Sequence, residues 1–374
     1  MIREPRGKQI GPALLLAVLV LFCGAGLTAA QTIRDLPPPP PAPTPKPTPT
    51  PAPKDEDFEI IRVSSNLVMV PVSVTDAKGE AVHGMQVGDF RLEEEGKTQQ
   101  ITEIGNPDQV PLDIAILFDV SSSVSQKGFF AFQQQAAASF LKQVLKPVDR
   151  AAVFTIAGEP TLVTPLATAE VAAAKLLTIP AATSSVSTSF YDSVVAAAKY
   201  LEEKAPPRHR LVIVVISDGD DNNSRLLQAT KAEDRRAANQ KAEPTKDEQK
   251  ANLQFRHRRA TLEVQRAVQH ADAAFYSINP GGQSIHLNDI STRAQNSMEA
   301  IAQSSGGTAF VPDSEKDLEK VFNEVAAELR GQYLVQYYSN SQAAGALFRR
   351  IVVALPTHPE LRVRARQGYY PKGK

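Results

Sequence analysis

Tryptophan is absent from this chain of 374 residues, and Cys23 is its only cysteine. A lone cysteine cannot close an intramolecular disulfide or build a thiolate metal cluster. The six histidines are scattered, with no pair at helical metal-ligand spacing. The 41 basic and 41 acidic side chains balance to a formal charge of +0, which argues against bulk attraction to nucleic acid or anionic membranes. No Gly-Lys-Ser/Thr phosphate loop follows a strand, and no Gly-x-Ser-x-Gly nucleophile turn is present. What remains is a hydrophobic share of 42%, enough for a sizeable core, in a chain long enough for two domains or one with appendages.

The N-terminus has the layout of a secretion signal. Arg3, Arg6 and Lys8 precede an apolar stretch from Ala13 to Leu27, then small residues Thr28-Ala29-Ala30 and Gln31. Cleavage after Ala30 is expected. The alternative is an uncleaved anchor, but the apolar stretch falls short of the ~20 residues a spanning helix needs. Phe22 before Cys23 fits a lipoprotein site poorly. The expected address is therefore exported, whether periplasmic, cell-surface or secreted, with membrane attachment only through an uncleaved N-terminal segment.

Segments 1–30 (signal) and 31–57 (proline-rich linker) precede the folded part. Pro37 to Pro53 alternates proline with Ala, Thr and Lys, a composition suited to extended polyproline II. Residues 58–108 read as β: Leu67–Val74 partly alternates, Asp76-Ala77-Lys78-Gly79 is a turn, and Glu95-Gly96 closes a hairpin. Residues 333–374 repeat that character in Tyr333–Tyr338, Arg349–Ala354 and Leu361–Ala365. Neither flank is long enough for a comfortable core alone, so the two are expected to pair into a small β-sandwich.

Between them, residues 109–332 alternate apolar runs with helical patterns, the signature of a doubly wound α/β domain with a mostly parallel sheet. Strands are expected at Asp113–Phe118, Ala151–Ile156, Leu211–Ser217, Ala274–Ile278 and Thr308–Val311, with Leu162–Pro165 as an antiparallel edge. Helices are expected at Lys127–Lys146, after Thr188, around Leu262–Ala271, before Gly306-Gly307, and at Ser314–Arg330 with Ser314 capping and Gly331 stopping it. A polar stretch at about 221–260, with Arg256, Arg258 and Arg259 near its end, reads as a solvated helical insertion rather than a polyanion site.

The chemistry concentrates in Asp119-Val120-Ser121-Ser122-Ser123, directly after the apolar run Ile114–Phe118. Its hard oxygen donors suit Mg²⁺ or Mn²⁺ and not zinc. Thr188 and Asp218, the latter directly after the apolar run Leu211–Ser217, complete the pattern. Asp220, Asp221, Asn222 and Asn223 read as a solvated loop.

On these motifs the chain resembles a von Willebrand factor type A (VWA) domain with a metal-ion-dependent adhesion site, and more narrowly the secreted bacterial VWFA-related proteins. The resemblance implies Ser121 and Ser123 as direct ligands through their hydroxyls, and Thr188 as a third, direct or through water. Asp119 and Asp218 would act mainly through water. It further implies a non-enzymatic module that recruits an acidic side chain of a protein ligand to the open metal position. Two alternatives stand beside it: a metal-independent envelope scaffold, and a Mg²⁺-dependent phosphotransferase with Asp119 as nucleophile. The second is weakened by Ser121, where such enzymes carry another aspartate.

Overall fold

The computed structural model describes residues 67–125, 130–239, 243–281, 288–314, 317–341 and 347–371, apart from the side chains of residues 123, 125, 236 and 237. The expected signal and linker segments lie outside them. Four strands come first: β1 (Leu67–Thr75), β2 (Arg91–Glu94), β3 (Lys97–Gln99) and β4 (Ile101–Gly105). The central portion begins with β5 (Leu112–Asp119), α1 (Ser122–Ser125), α2 (Phe130–Val144), β6 (Arg150–Ile156), β7 (Thr161–Ala167), α3 (Ala169–Leu176) and α4 (Phe190–Lys204). It continues with β8 (Arg210–Ile216), α5 (Lys231–Asn239), α6 (Lys246–Ala271), β9 (Ala273–Ile278), α7 (Asp289–Ser305), β10 (Ala309–Phe310) and α8 (Leu318–Gly331). The closing strands are β11 (Tyr333–Tyr338), β12 (Arg349–Ala354), β13 (Arg362–Ala365) and β14 (Gly368–Tyr369).

The central sheet has the order β10-β9-β8-β5-β6-β7, parallel except for the antiparallel edge β7. All eight residues of β5 are buried, which is why this strand reads as a continuous apolar run and not as an alternation. Alternate residues still face opposite layers. Ile114, Ile116 and Phe118 pack with α2, α3 and α8, while Ala115 and Leu117 pack with α4, α6 and α7. The chain leaves β5 toward β6 on one side and returns to β8 on the other. The carboxyl ends of β5 and β8 are thus neighbours at the point where the winding reverses, the usual place for a ligand crevice.

The two flanks interleave. One four-stranded sheet runs β13-β1-β11-β4 and the other β14-β12-β2-β3, so each sheet takes two strands from each end of the chain. Val68, Val70, Val72 and Val74 point inward from β1 and meet Leu92 and Ile351 of the facing sheet. Glu94 is buried within this core, where Tyr337 Oη (2.6 Å), Ser339 Oγ (2.7 Å) and Tyr369 Oη (3.2 Å) donate to it beside Arg349 (3.4 Å).

Several elements depart from the sequence reading. The helix expected around Leu262–Ala271 extends back to Lys246, into the last third of the polar stretch. Its buried positions His257, Ala260, Thr261, Val264, Val268 and Ala271 keep helical spacing, but the first of them are polar or small, so hydropathy hides the period. A capping box between Thr245 and Glu248 starts it, and Asp272 in the left-handed region ends it. Nine residues of the preceding part form α5, tied to α6 by Glu233 with Arg259 (2.9 Å) and Arg256 (3.7 Å). The last helix starts at Leu318 rather than near Ser314: Asp317 occupies the cap, and Ser314 donates to its carboxylate. Gly331 is its final residue rather than its stop. Helix α3 and strand β14 are additional elements.

Glu328 on α8 joins the α/β domain to the sandwich. It accepts from Ser73 Oγ on β1 and Tyr276 Oη on β9, both at 2.9 Å, and pairs with Arg364 on β13 at 2.6 Å. Gly306 supports the same junction from α7. Its φ of +85° suits a left-handed helix end, and a Cβ there would sit 2.7 Å from the Arg366 backbone nitrogen. Glu328→Ala removes the acceptor of two buried hydroxyls, leaving them only the donation from Gln332 Nε2, and should cost about 2–3 kcal/mol in urea unfolding, discounted for the partly exposed Arg364. An unchanged midpoint would mean that apolar contact alone holds the two parts together.

Candidate metal centre

Asp119 ends β5 with no exposed surface. Register places Phe118 beside Ile216, so the next residue on the neighbouring strand's path, Ser217, reaches across: its Oγ donates to Asp119 Oδ2 at 2.5 Å. The Ser121 N–H donates to Asp119 Oδ1 at 2.7 Å and bends the chain into α1. Ser217 Oγ also accepts from the Gly219 N–H at 2.9 Å, which turns the chain after Asp218 with a φ of +74° at Gly219. Both loops are thus folded around the Asp119–Ser217 pair.

Thr188 arrives from the loop before α4 and is buried, as is Ser121. Asn222 Oδ1 accepts from the Thr188 N–H at 3.0 Å, and the Thr188 carbonyl accepts from the N–H groups of Asn222 and Asn223, both at 3.1 Å. Ser122 Oγ donates to the Ser184 carbonyl (3.2 Å) and accepts from the Val186 N–H (2.9 Å), fastening the first loop to the second. Asp119, Ser121, Thr188 and Asp218 are therefore brought to three mutually hydrogen-bonded loops. The Ser123 side chain lies outside the described residues; its backbone is in α1.

The polar run after Asp218 is only partly solvated. Asn222 and Asn223 are exposed, but Asp221 is buried and organises the site. Its carboxylate accepts from the N–H groups of Tyr191 (2.8 Å), Ser224 (2.9 Å) and Asn223 (3.1 Å) and from Ser224 Oγ (2.6 Å). It thereby locks the start of α4, just past Thr188, onto the loop that carries Asp218. The three-residue spacing of Asp221 and Ser224, typical of side chains that cap backbone turns, is the signal that composition obscures.

Electrostatically the site is dominated by its carboxylates. Burial first, then the nearby Asp218 charge, push the Asp119 carboxyl up to about 7, against the hydrogen bonds from Ser121 and Ser217. Burial followed by Asp218 likewise raises Asp220. Among the described residues no basic side chain hydrogen-bonds or ion-pairs with Asp119 or Asp218. Two electrostatically coupled carboxylates beside buried hydroxyls fit a hard divalent cation, which would supply a counter-charge. Among the described residues no cluster of three His, Cys, Asp or Glu is poised as a metal site, and three of the five candidate donors here are hydroxyls, which such a cluster does not count.

Residues 114–220 match the von Willebrand factor type A domain family. The chain carries a VWA domain. All five positions Asp119, Ser121, Ser123, Thr188 and Asp218 fall inside the matched segment. No curated protein matches the chain. Among solved structures, an aerotolerance-related membrane protein from Bacteroides fragilis is 14% identical and covers 58% of this chain and 98% of its own, with a TM-score of 0.39. Proximal thread matrix protein 1 from the mussel byssus, solved with a zinc-occupied MIDAS motif, is 15% identical over 62% of this chain and 48% of its own (TM-score 0.41). The PilB minor pilin from Streptococcus sanguinis is 12% identical over 60% and 62% (TM-score 0.43). The alignment thus spans about half of the mussel protein.

The raised carboxylates set the sign of a pH effect. A folded pKa above the unfolded value of about 4 gives stability that is complete below that value and is lost as pH climbs through the folded one. In chelator, the VWA domain should lose stability from about pH 4 to about pH 7, with Asp119, Asp220 and Asp221 all shifted in that direction. Asp119→Asn should flatten the slope in melts recorded across this range; an identical slope would remove Asp119 as its source.

Proposed function

We propose that this chain is an exported, non-enzymatic binding protein whose VWA domain holds Mg²⁺ or Mn²⁺ and engages a carboxylate of a protein ligand. The observation that carries the reading is the buried Asp119 close enough to feel the Asp218 charge, with the hydroxyl-bearing Ser121 and Thr188 on adjoining loops and, among the described residues, no basic side chain paired with either carboxylate. Ser121, Ser123 and Thr188 supply neutral hydroxyl donors, while Asp119 and Asp218 act through water. Neutral direct ligands leave the ion strongly electropositive, and an acidic side chain from the ligand completes its shell. The first 30 residues direct export, the linker at 31–57 spaces the domain from its attachment, and segments 58–108 and 333–374 form a sandwich that presents it.

The phosphotransferase alternative fares worse. Asp119 has no exposed surface, and hydrogen bonds engage both of its oxygens, so it is badly placed for in-line attack on a phosphoryl group. A metal-independent envelope scaffold remains the contrasting outcome of the following test.

Calorimetric titration of Mg²⁺ into the full-length chain should show saturable binding at one site. Ser121→Ala combined with Ser123→Ala should abolish it while the circular dichroism spectrum stays unchanged. No heat of binding in the unmodified chain, or equal binding in the double variant, would move the function to the metal-independent scaffold.

A further inference from the structure

Helices α6 and α7 run side by side in the same direction, joined by Thr261 Oγ1 to Ser297 Oγ (3.1 Å), Gln265 Nε2 to the Ala300 carbonyl (2.8 Å) and Lys250 to Asp289 (2.6 Å). A cleft of about 590 Å³ lies between them, lined by Gln254, Arg258, Leu262, Asp289, Arg293 and Asn296 among others. Its charge is unbalanced. Asp289, the only carboxylate of the lining, is paired with Lys250, while neither Arg258 nor Arg293 has a hydrogen bond or ion pair among the described residues. Two guanidinium groups therefore face the cleft with amides beside them, and Leu262 offers apolar surface at 49% exposure.

The floor of the cleft is built, and it adjoins the metal loops. Tyr191 Oη, from the first turn of α4, meets His257 Nδ1 at 3.0 Å and Ser297 Oγ at 3.2 Å. The backbone N–H of the same tyrosine is held by Asp221, within three residues of Thr188. Burial, then the neighbouring Arg293, hold the His257 imidazole down to about 4, so it is neutral at ordinary pH and adds no charge to the floor. On the other side, the Met298 side chain of α7 abuts Gly219, where a Cβ would lie 2.8 Å from its methyl carbon, and the Arg293 charge is felt at Asp220. Cleft and metal loops share a wall.

We propose that this cleft is a second contact for the acidic ligand: Arg258 and Arg293 take a Glu or Asp side chain of the polypeptide whose neighbouring carboxylate binds at the metal site. Guanidinium forks match carboxylates in shape and charge, and both arginines keep their full donor sets for it. Leu262 covers the stem of the acidic side chain, and Gln254 and Asn296 supply partners for the peptide backbone. The exposed, basic end of the 221–260 stretch thus gains a role through its alignment with α7. The inference rests on the proposed metal-dependent reading, and its test separates the two.

The probe is fluorescein-labelled octaglutamate, followed by fluorescence anisotropy with the full-length chain at low salt, in Mg²⁺ and in EDTA. Arg258→Gln with Arg293→Gln should weaken binding about tenfold or more in Mg²⁺ and remove what remains in EDTA. Ser121→Ala should remove only the Mg²⁺-dependent part. If the metal reading alone fails, Mg²⁺ and Ser121→Ala have no effect while dependence on the arginines stays. If the cleft alone fails, the metal effects remain and the arginine variant binds like the parent. Failure of the parent to bind the probe, or its displacement by inorganic phosphate at equal charge concentration, would also overturn the cleft assignment.

Discussion

A carboxylate with no exposed surface sits at the end of the central strand, close to a second carboxylate, and the site is arranged around that repulsion. Burying an unpaired charge is costly, so the surrounding chain must either neutralise Asp119 or surround it with donors. The Ser121 N–H and the Ser217 hydroxyl do the latter, and in doing so they define both loops. They do not offset burial, the larger cause, or the nearby Asp218 charge, which together still drive the carboxyl up to about 7. A divalent cation would resolve the conflict directly, because the carboxylates that repel one another are those that would attract the ion.

The fold makes this arrangement rigid from behind. Strands buried on both faces fix the carboxyl ends of β5 and β8 side by side. Asp221 accepts three hydrogen bonds from its own loop and a fourth, from the Tyr191 N–H, that ties this loop to the start of α4 just past Thr188, and Tyr191 carries that connection into the interface of α4, α6 and α7. On the far side, Glu328 anchors α8 to the sandwich. The sandwich depends on strands from both ends of the chain, so both flanks are needed to form the surface on which α8 is anchored.

Much of this was legible in the sequence because the decisive strands have no solvent face. Ile114–Phe118 and Leu211–Ile216 are unbroken apolar runs, and the residues that follow them are those the structure brings together. The amphipathic stripe Leu318, Val321, Phe322, Val325 and Leu329 likewise marked α8. What escaped was encoded in polar or small residues. The upper half of α6 buries His257 and Thr261 against other polar groups, so no apolar period announces it, and α3 buries mainly alanine. Asp221 lies in a run that composition alone reads as solvated, because its partners are backbone N–H groups that only the folded loops supply. The exchange of strands between the two flanking sheets is a long-range pairing, and local alternation cannot specify it.

The most direct test of the account is a crystal structure of the full-length chain grown with Mn²⁺, read by anomalous scattering. The account predicts one anomalous peak within direct-ligand distance of Ser121 Oγ, between the Asp119 and Asp218 loops and beside Thr188. Fully occupied Mn²⁺ elsewhere, with Ser121 and Thr188 free of metal and the Asp119–Ser217 pair unchanged, would contradict it.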